Sequence, residues 1–176
     1  AGAYITTGGN NTIVGYTAGD AITTAANNVA VGHGALGANT TGTPNIAMGY
    51  ASAAANTTGT YNIAIGHQAL ETNTTGAACV AIGTQSFGAS NANSNTGLGH
   101  AAGFTNTTGA NNTALGHNSL YYNTTGGSLT AIGQGALHRN TTASNNLAIG
   151  VGTGQYITTG ASNVCIGNSA GDAITT

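Results

Sequence analysis

Glycine returns at one fixed interval along this chain: Gly15, Gly32, Gly49, Gly66, Gly83, Gly99, Gly116, Gly133, Gly150 and Gly167. The step is 17 residues throughout, apart from a step of 16 between Gly83 and Gly99. A period this short holds one supersecondary unit, which buries its apolar side only by stacking on its neighbours. Residues 1–176 therefore read as a single repeat array without separate domains. Both ends fall partway through a repeat, and Tyr4 to Gly8 reappears as Tyr156 to Gly160. The expectation is a segment of a longer repetitive protein.

The unit reads approximately N-T-T-G-x-x-N-x-A-I-G-x-x-A-L-x-x, most clearly in Asn56 to Leu70 and Asn106 to Leu120. The NTTG part has no helical period and carries turn residues. The N-x-A-I-G part alternates with period two and is rich in β-branched residues, as a short strand is. A second short strand is expected over the A-L portion. Glycine and β-branched residues weigh against helix. The fold expected is all-β, a parallel β-solenoid or β-roll of about ten 17-residue coils. The short step falls in Gly88 to Asn95, at the turn, where a deletion is tolerated and no strand register is shifted.

Stacking turns each repeat position into a column. The residue before the glycine is always aliphatic: Val14, Val31, Met48, Ile65, Ile82, Leu98, Leu115, Ile132, Ile149 and Ile166. These are the expected core ladder. The residue before that is small, as in Ala30, Ala47, Ala64, Ala81, Ala114, Ala131 and Ala148. Strand alternation points it the other way, which suggests a close contact with another chain. Asn recurs in two columns, one holding Asn39, Asn56, Asn73, Asn106, Asn123 and Asn140, the other Asn11, Asn28, Asn45, Asn62, Asn95, Asn112, Asn146 and Asn163. Such amides can hydrogen-bond along a stack. The first column is also a set of Asn-Thr-Thr sequons, joined by sequons at Asn10 and Asn111, hence candidate glycosylation sites.

Charged residues make up 2% of the chain, and the net charge is −2. With no basic patch to hold a phosphate backbone, nucleic acid is not an expected partner. No apolar run reaches the roughly 18 residues of a membrane span, so membrane insertion is not expected either. A surface this poor in charge favours association, and the expected partners are other copies of the chain. Asp20, Glu71, Asp172 and Arg139 fall in two adjacent columns, which marks that corner as solvent-facing.

His33, His67, His100 and His117 share the column after the repeat glycine, with Tyr16 and Tyr50. His100 and His117, on adjacent coils, are the candidate metal ligands; the same column also accepts Thr84, Gln134 and Val151, as a simple stacking column would. Cys79 and Cys165 lie five coils apart, on the order of 24 Å at one strand spacing per coil, too far for a disulfide within a straight rod. No nucleophile, base and orienting group recur together. No enzyme and no cofactor are expected.

The N-x-A-I-G-x-x-A-L unit resembles the head repeats of trimeric autotransporter adhesins. It also resembles the NTAIG-type repeats of bacteriophage tail fibres and large bacterial surface proteins. The residues carrying the resemblance are Asn62 to Gly66 with Ala69 and Leu70, Asn112 to Gly116 with Ser119 and Leu120, and Asn146 to Gly150. It implies a left-handed β-roll, three chains side by side, and a role in display or attachment outside the cell, on a cell surface or on a virion. A host surface or glycan receptor is the partner implied. Adhesin heads use shorter repeats, so the NTTG turn makes a wider coil here. Two alternatives stand beside this reading. One is an ice- or surface-binding solenoid using the ladder Thr40, Thr57, Thr74, Thr107, Thr124 and Thr141, with Thr41 and its equivalents turned away. The other is a glycan-coated filament or sheath.

Overall fold

In the computed structural model, which describes residues 1–175, the chain winds into a parallel β-solenoid of about nine turns. One ten-stranded sheet runs along its side, with the strands in chain order. The first strand is Thr12–Val14, the fourth Asn62–Ile65 and the last Val164–Ile166. Each pairs with the same residues one coil away, as in Ile63↔Val80, Ala64↔Ala81 and Ile65↔Ile82. The short step leaves this register intact, with Val80 opposite Thr96.

The second strand expected in each coil does not form. Its place is taken by left-handed backbone: Gln68 at φ 56° and Leu70 at φ 50°, with the same conformation at Asn118, Leu120 and Leu137. A residue at positive φ turns the chain and cannot extend a strand. A further left-handed residue precedes nine of the ten strands, such as Tyr61 at φ 60° or Asn111 at φ 60°, and Pro44 holds that place before the third. These bends close a 17-residue loop of backbone around a narrow lumen. Gly66, at φ 134°, lies outside even the left-handed well that Leu70 occupies. A Cβ there would also sit 2.6 Å from the carbonyl oxygen of Gly83. Only glycine can leave the strand this way.

The inside and outside of the strand are reversed from the sequence expectation. Ala30, Ala47, Ala64, Ala81, Ala114, Ala131 and Ala148 point into the coil and are fully buried, so they are not a surface for inter-chain packing. Val14, Val31, Met48, Ile65, Ile82, Leu98, Leu115, Ile132, Ile149 and Ile166 point outward and are half-buried or exposed, so they are not the core ladder of this chain. The physical reason lies across the lumen. Leu36, Leu70, Phe87, Leu120 and Leu137 enter it from the turn side and are buried to about 1% exposure or less. Opposite such side chains, only a small residue fits on the strand.

Volume inside the coil is exchanged between two columns. Where the leucine column carries Gly19, Gly154 or Gly171, the facing asparagine column carries Ile22, Ile157 or Ile174. A Cβ on Gly19 or Gly154 would meet the Cδ1 of Ile22 or Ile157 at 3.0 Å. The larger side chain has moved one column along, and the lumen stays filled.

The short step is repaired by a side chain. In full coils the backbone carbonyl of Thr57 accepts the N–H groups of Thr40, Thr41 and Gly42 at 3.0, 3.2 and 3.4 Å. In the short coil the Oδ1 of Asn91 accepts those of Thr74, Thr75 and Gly76 at 3.0, 3.0 and 3.3 Å. Buried Ala92 keeps the place of the turn glycine, so the residue lost is the second, exposed threonine of NTTG.

Candidate interaction surfaces

The outward side of the sheet is apolar apart from threonines at Thr12, Thr96, Thr113 and Thr130. Each strand shows two outward residues: Ile46 and Met48, Ile63 and Ile65, Val80 and Ile82, Leu147 and Ile149 are examples. Met48 is 41% exposed and Leu98 46%, even with aliphatic neighbours stacked above and below. No charged residue interrupts this band.

Both asparagine columns lie inside, and they bond differently. In one, each amide bridges coils through backbone: Asn45 Oδ1 accepts the Asn62 N–H at 3.0 Å, while Asn45 Nδ2 donates to the Gly59 carbonyl at 2.8 Å. In the other, amides chain to one another, with Asn56 Nδ2 donating to Asn39 Oδ1 at 2.9 Å and Asn140 Nδ2 to Asn123 Oδ1 at 2.8 Å. That ladder breaks where the next coil offers Ser90 or Ile157, and Asn73 Oδ1 and Asn140 Oδ1 are left without partners among the described residues. Asn39, Asn56, Asn73, Asn106, Asn123 and Asn140 are each 0% exposed. A glycan on such an amide would replace a buried hydrogen bond with a bulky polar group, so these positions are not glycosylation sites of the folded coil. The sequon residues Asn10 and Asn111, by contrast, are exposed.

The two threonine columns both reach the surface, contrary to the alternation expected. The NTTG segment is a turn, so period-two logic does not apply to it. Thr57 and Thr124 donate their hydroxyls to the Thr74 and Thr141 carbonyls at 3.0 and 2.9 Å. Thr41, Thr58, Thr75, Thr108 and Thr125 are exposed.

The column after the repeat glycine forms a ring stack: Tyr16 on His33 at 5.3 Å, His33 on Tyr50 at 5.1 Å, Tyr50 on His67 at 5.1 Å. His100 stacks on His117 at 5.2 Å. No third histidine, cysteine or carboxylate among the described residues completes a metal-sized group with them. The corner carrying the charges is at the surface, with Asp20, Glu71 and Asp172 half-buried and Arg139 exposed. The repeat pattern did not single out an aromatic cluster there: Phe104, Tyr121, Tyr122 and His138 pack on one another, and Arg139 lies over Tyr156. Its signal was a local departure from the repeat, since the same columns hold Gly37 and Ala38, or Ala54 and Ala55, elsewhere.

Cys79 and Cys165 are both free and buried, as packing residues in their columns. Cys79 stands in for an asparagine. Its N–H bonds Asn62 Oδ1 at 3.0 Å and its thiol donates to the Ala92 carbonyl at 3.1 Å. Burial pushes the thiol pKa up, against a smaller lowering by hydrogen bonds from the Asn95 and Ser94 backbone. Comparison with family models, curated proteins and solved structures returns no match for this chain.

Proposed function

We propose that this chain is a structural, display-type fibre segment that associates with copies of itself through the outward face of its sheet, outside the cell, on a cell surface or on a virion. The observation that carries this is the outward band of the sheet, aliphatic in the column before the repeat glycine in all ten strands and in the second outward column in six of them. Ten strands at ~4.8 Å spacing, with outward residues ~7 Å apart, give a band on the order of 45 Å by 15 Å. That is close to the ~800 Å² each partner contributes to a standard protein interface. An apolar patch of this size is what a monomeric protein avoids and an assembled one uses. Strands kept in one register along the rod offer parallel ladders, so two or three copies can lie side by side. The rod then supplies length, and its remaining faces supply contact with a host surface or glycan. Sedimentation equilibrium across a dilution series tests the reading. A concentration-dependent oligomer is expected, and a chain that stays monomeric and soluble at high concentration contradicts it.

A second reading, an ice- or surface-binding solenoid, is favoured by one observation: both threonine columns lie at the surface along most of the rod. Against it, hydroxyls of the first column are already donated to backbone carbonyls. Thermal hysteresis of the purified chain separates the two.

A further inference from the structure

We infer that the aromatic corner around Arg139 is a binding site for an anionic saccharide. A solenoid needs the same side chain at a position in every coil only where that side chain holds coils together. At this corner the fold needs nothing large, since Gly37–Ala38, Ala54–Ala55 and Gly88–Ala89 occupy the same two columns. Over four consecutive coils those columns instead carry Phe104–Thr105, Tyr121–Tyr122, His138–Arg139 and Gln155–Tyr156. Apart from Tyr4 in the first coil, the aromatic side chains of these columns are confined to this one stretch of the rod, and stacking does not account for them.

Their geometry is that of a sugar platform. Phe104, Tyr121 and His138 form a stack along the rod, with ring centroids 5.5 and 5.4 Å apart. Tyr122 stands edge-on to that stack, 4.8 Å from Tyr121 and 5.2 Å from His138. Next to it the Arg139 guanidinium lies over the Tyr156 ring at 5.4 Å. Tyr122 and Tyr156 are 47% and 43% exposed. Beside Tyr122 and Arg139 runs a groove of about 430 Å³, lined by these two residues and the threonines 105, 124, 141 and 158. That volume is in the range of small-molecule sites. Exposed aromatic faces pack against the C–H face of a pyranose, and their hydroxyls stay available for hydrogen bonds. Thr105, Thr124 and Thr141 already donate their hydroxyl protons to backbone carbonyls, so toward a ligand they act as acceptors for sugar O–H groups.

Arg139 selects the charge. It is the sole Lys or Arg of the chain, and no carboxylate among the described residues pairs with it. Its guanidinium lies over the Tyr156 ring, and its fork of N–H donors suits bidentate recognition of a carboxylate. A sugar acid offers both features at once: an apolar ring face for the tyrosines and a carboxylate for the guanidinium. The inference rests on the display reading for its setting, but the site lies off the apolar strand face, so the two are separable by experiment.

The test is binding of the whole chain to an array of sialylated and uronic-acid oligosaccharides, each paired with its neutral parent, followed by NMR titration of the best acidic member. Two variants use residue types the column carries elsewhere or keep the side-chain length: Tyr122→Thr and Arg139→Gln. Tyr61→Asn, at an exposed tyrosine on another corner, is the control. We expect acidic members to bind and neutral parents to bind at least tenfold more weakly. Arg139→Gln should lower affinity about tenfold, the loss of one charge-assisted contact, and Tyr122→Thr by a similar factor, with Tyr61→Asn unchanged. Absence of binding to every acidic member, equal binding of the neutral parents, or unchanged affinity in both variants overturns the inference. If the variants change the sedimentation of the saccharide-free chain instead, the corner is a contact between chains and the inference is also overturned.

Discussion

Phe87 occupies the space that a side chain at residue 103 would fill: a Cβ on Gly103 would lie 2.4 Å from the Phe87 Cε1, one coil away. A Cβ on Gly97 would lie 2.6 Å from the Cδ2 of the same ring. In the coils that follow, the same columns hold Leu120 and Leu137, and Ala114 and Ala131. One oversized side chain has therefore emptied two neighbouring positions, and the three residues form a packing unit. Gly103→Leu alone should destabilise by about 1–3 kcal/mol through overpacking. Backbone strain is not the cause, because Leu120 adopts φ 51° in the same column. Phe87→Leu combined with Gly103→Leu should recover most of the loss. Denaturant melts of the single and double variants measure this coupling, and additive losses would refute it.

The amide of Asn62 serves two coils. Its Oδ1 accepts the Cys79 N–H at 3.0 Å and its Nδ2 donates to the Gly76 carbonyl at 2.8 Å. Asn62→Ala strands both buried groups, at about 1–3 kcal/mol each. We expect a loss of several kcal/mol in chemical denaturation, larger than for Thr41→Ala on the surface of the same array. Comparable losses would show the amide column to be dispensable.

Asn91 replaces a missing peptide carbonyl, so its oxygen matters and its nitrogen does not. Asn91→Leu removes the acceptor from three N–H groups and should speed hydrogen exchange at Thr74, Thr75 and Gly76. The cost is about 1 kcal/mol, since these groups lie near water. Asn91→Asp keeps the acceptor and should leave exchange there slow. Equal exchange in both variants would rule out the substitution of side chain for backbone.

The two faces of one strand respond oppositely to substitution. Ala64→Leu places bulk in a filled lumen and should cost about 1–3 kcal/mol, lowering the melting temperature of the chain at any concentration. Ile65→Lys points outward and should leave the secondary structure of the separate chain within about 0.5 kcal/mol of the parent. Under the proposed function it shifts the association midpoint to higher concentration. Sedimentation and circular dichroism of the pair read both effects. An Ile65→Lys variant that unfolds, or that associates as the parent does, would contradict the assignment of faces or of function respectively.

Cys79 makes stability fall at alkaline pH. Its folded pKa is raised above the ordinary value of 9.0 by burial, so the folded state holds the thiol proton more tightly than the unfolded chain does. The contribution is complete below the unfolded pKa. It is lost as pH rises from there through the folded pKa, because only the unfolded state is then stabilised by ionisation. Cys79→Asn restores the column residue and should flatten that part of the pH profile relative to the parent. Denaturation midpoints between neutral pH and pH ~10, spanning the ordinary thiol range, provide the comparison.

The sequence by itself determined the coil, because period, turn residues and strand alternation are local properties that any 17-residue window displays. It placed the strand at Asn62–Ile65, the deletion at Gly88 to Asn95, and the obligate glycine at Gly66. It could not say which face of the strand is enclosed. Alternation separates Ala64 from Ile65 but assigns neither to the inside, and hydrophobicity alone favours the wrong one. Closure decided it: left-handed turns at Gln68 and Leu70 swing the leucine into the lumen, and the space left on the strand admits only alanine. The same closure buried the NTTG asparagines that read as surface sequons, and it gathered Tyr122, Arg139 and Tyr156, 17 residues apart in sequence, onto one corner. Which residues touch across coils depends on how the backbone loop is bent, and that is settled only when the chain has closed on itself.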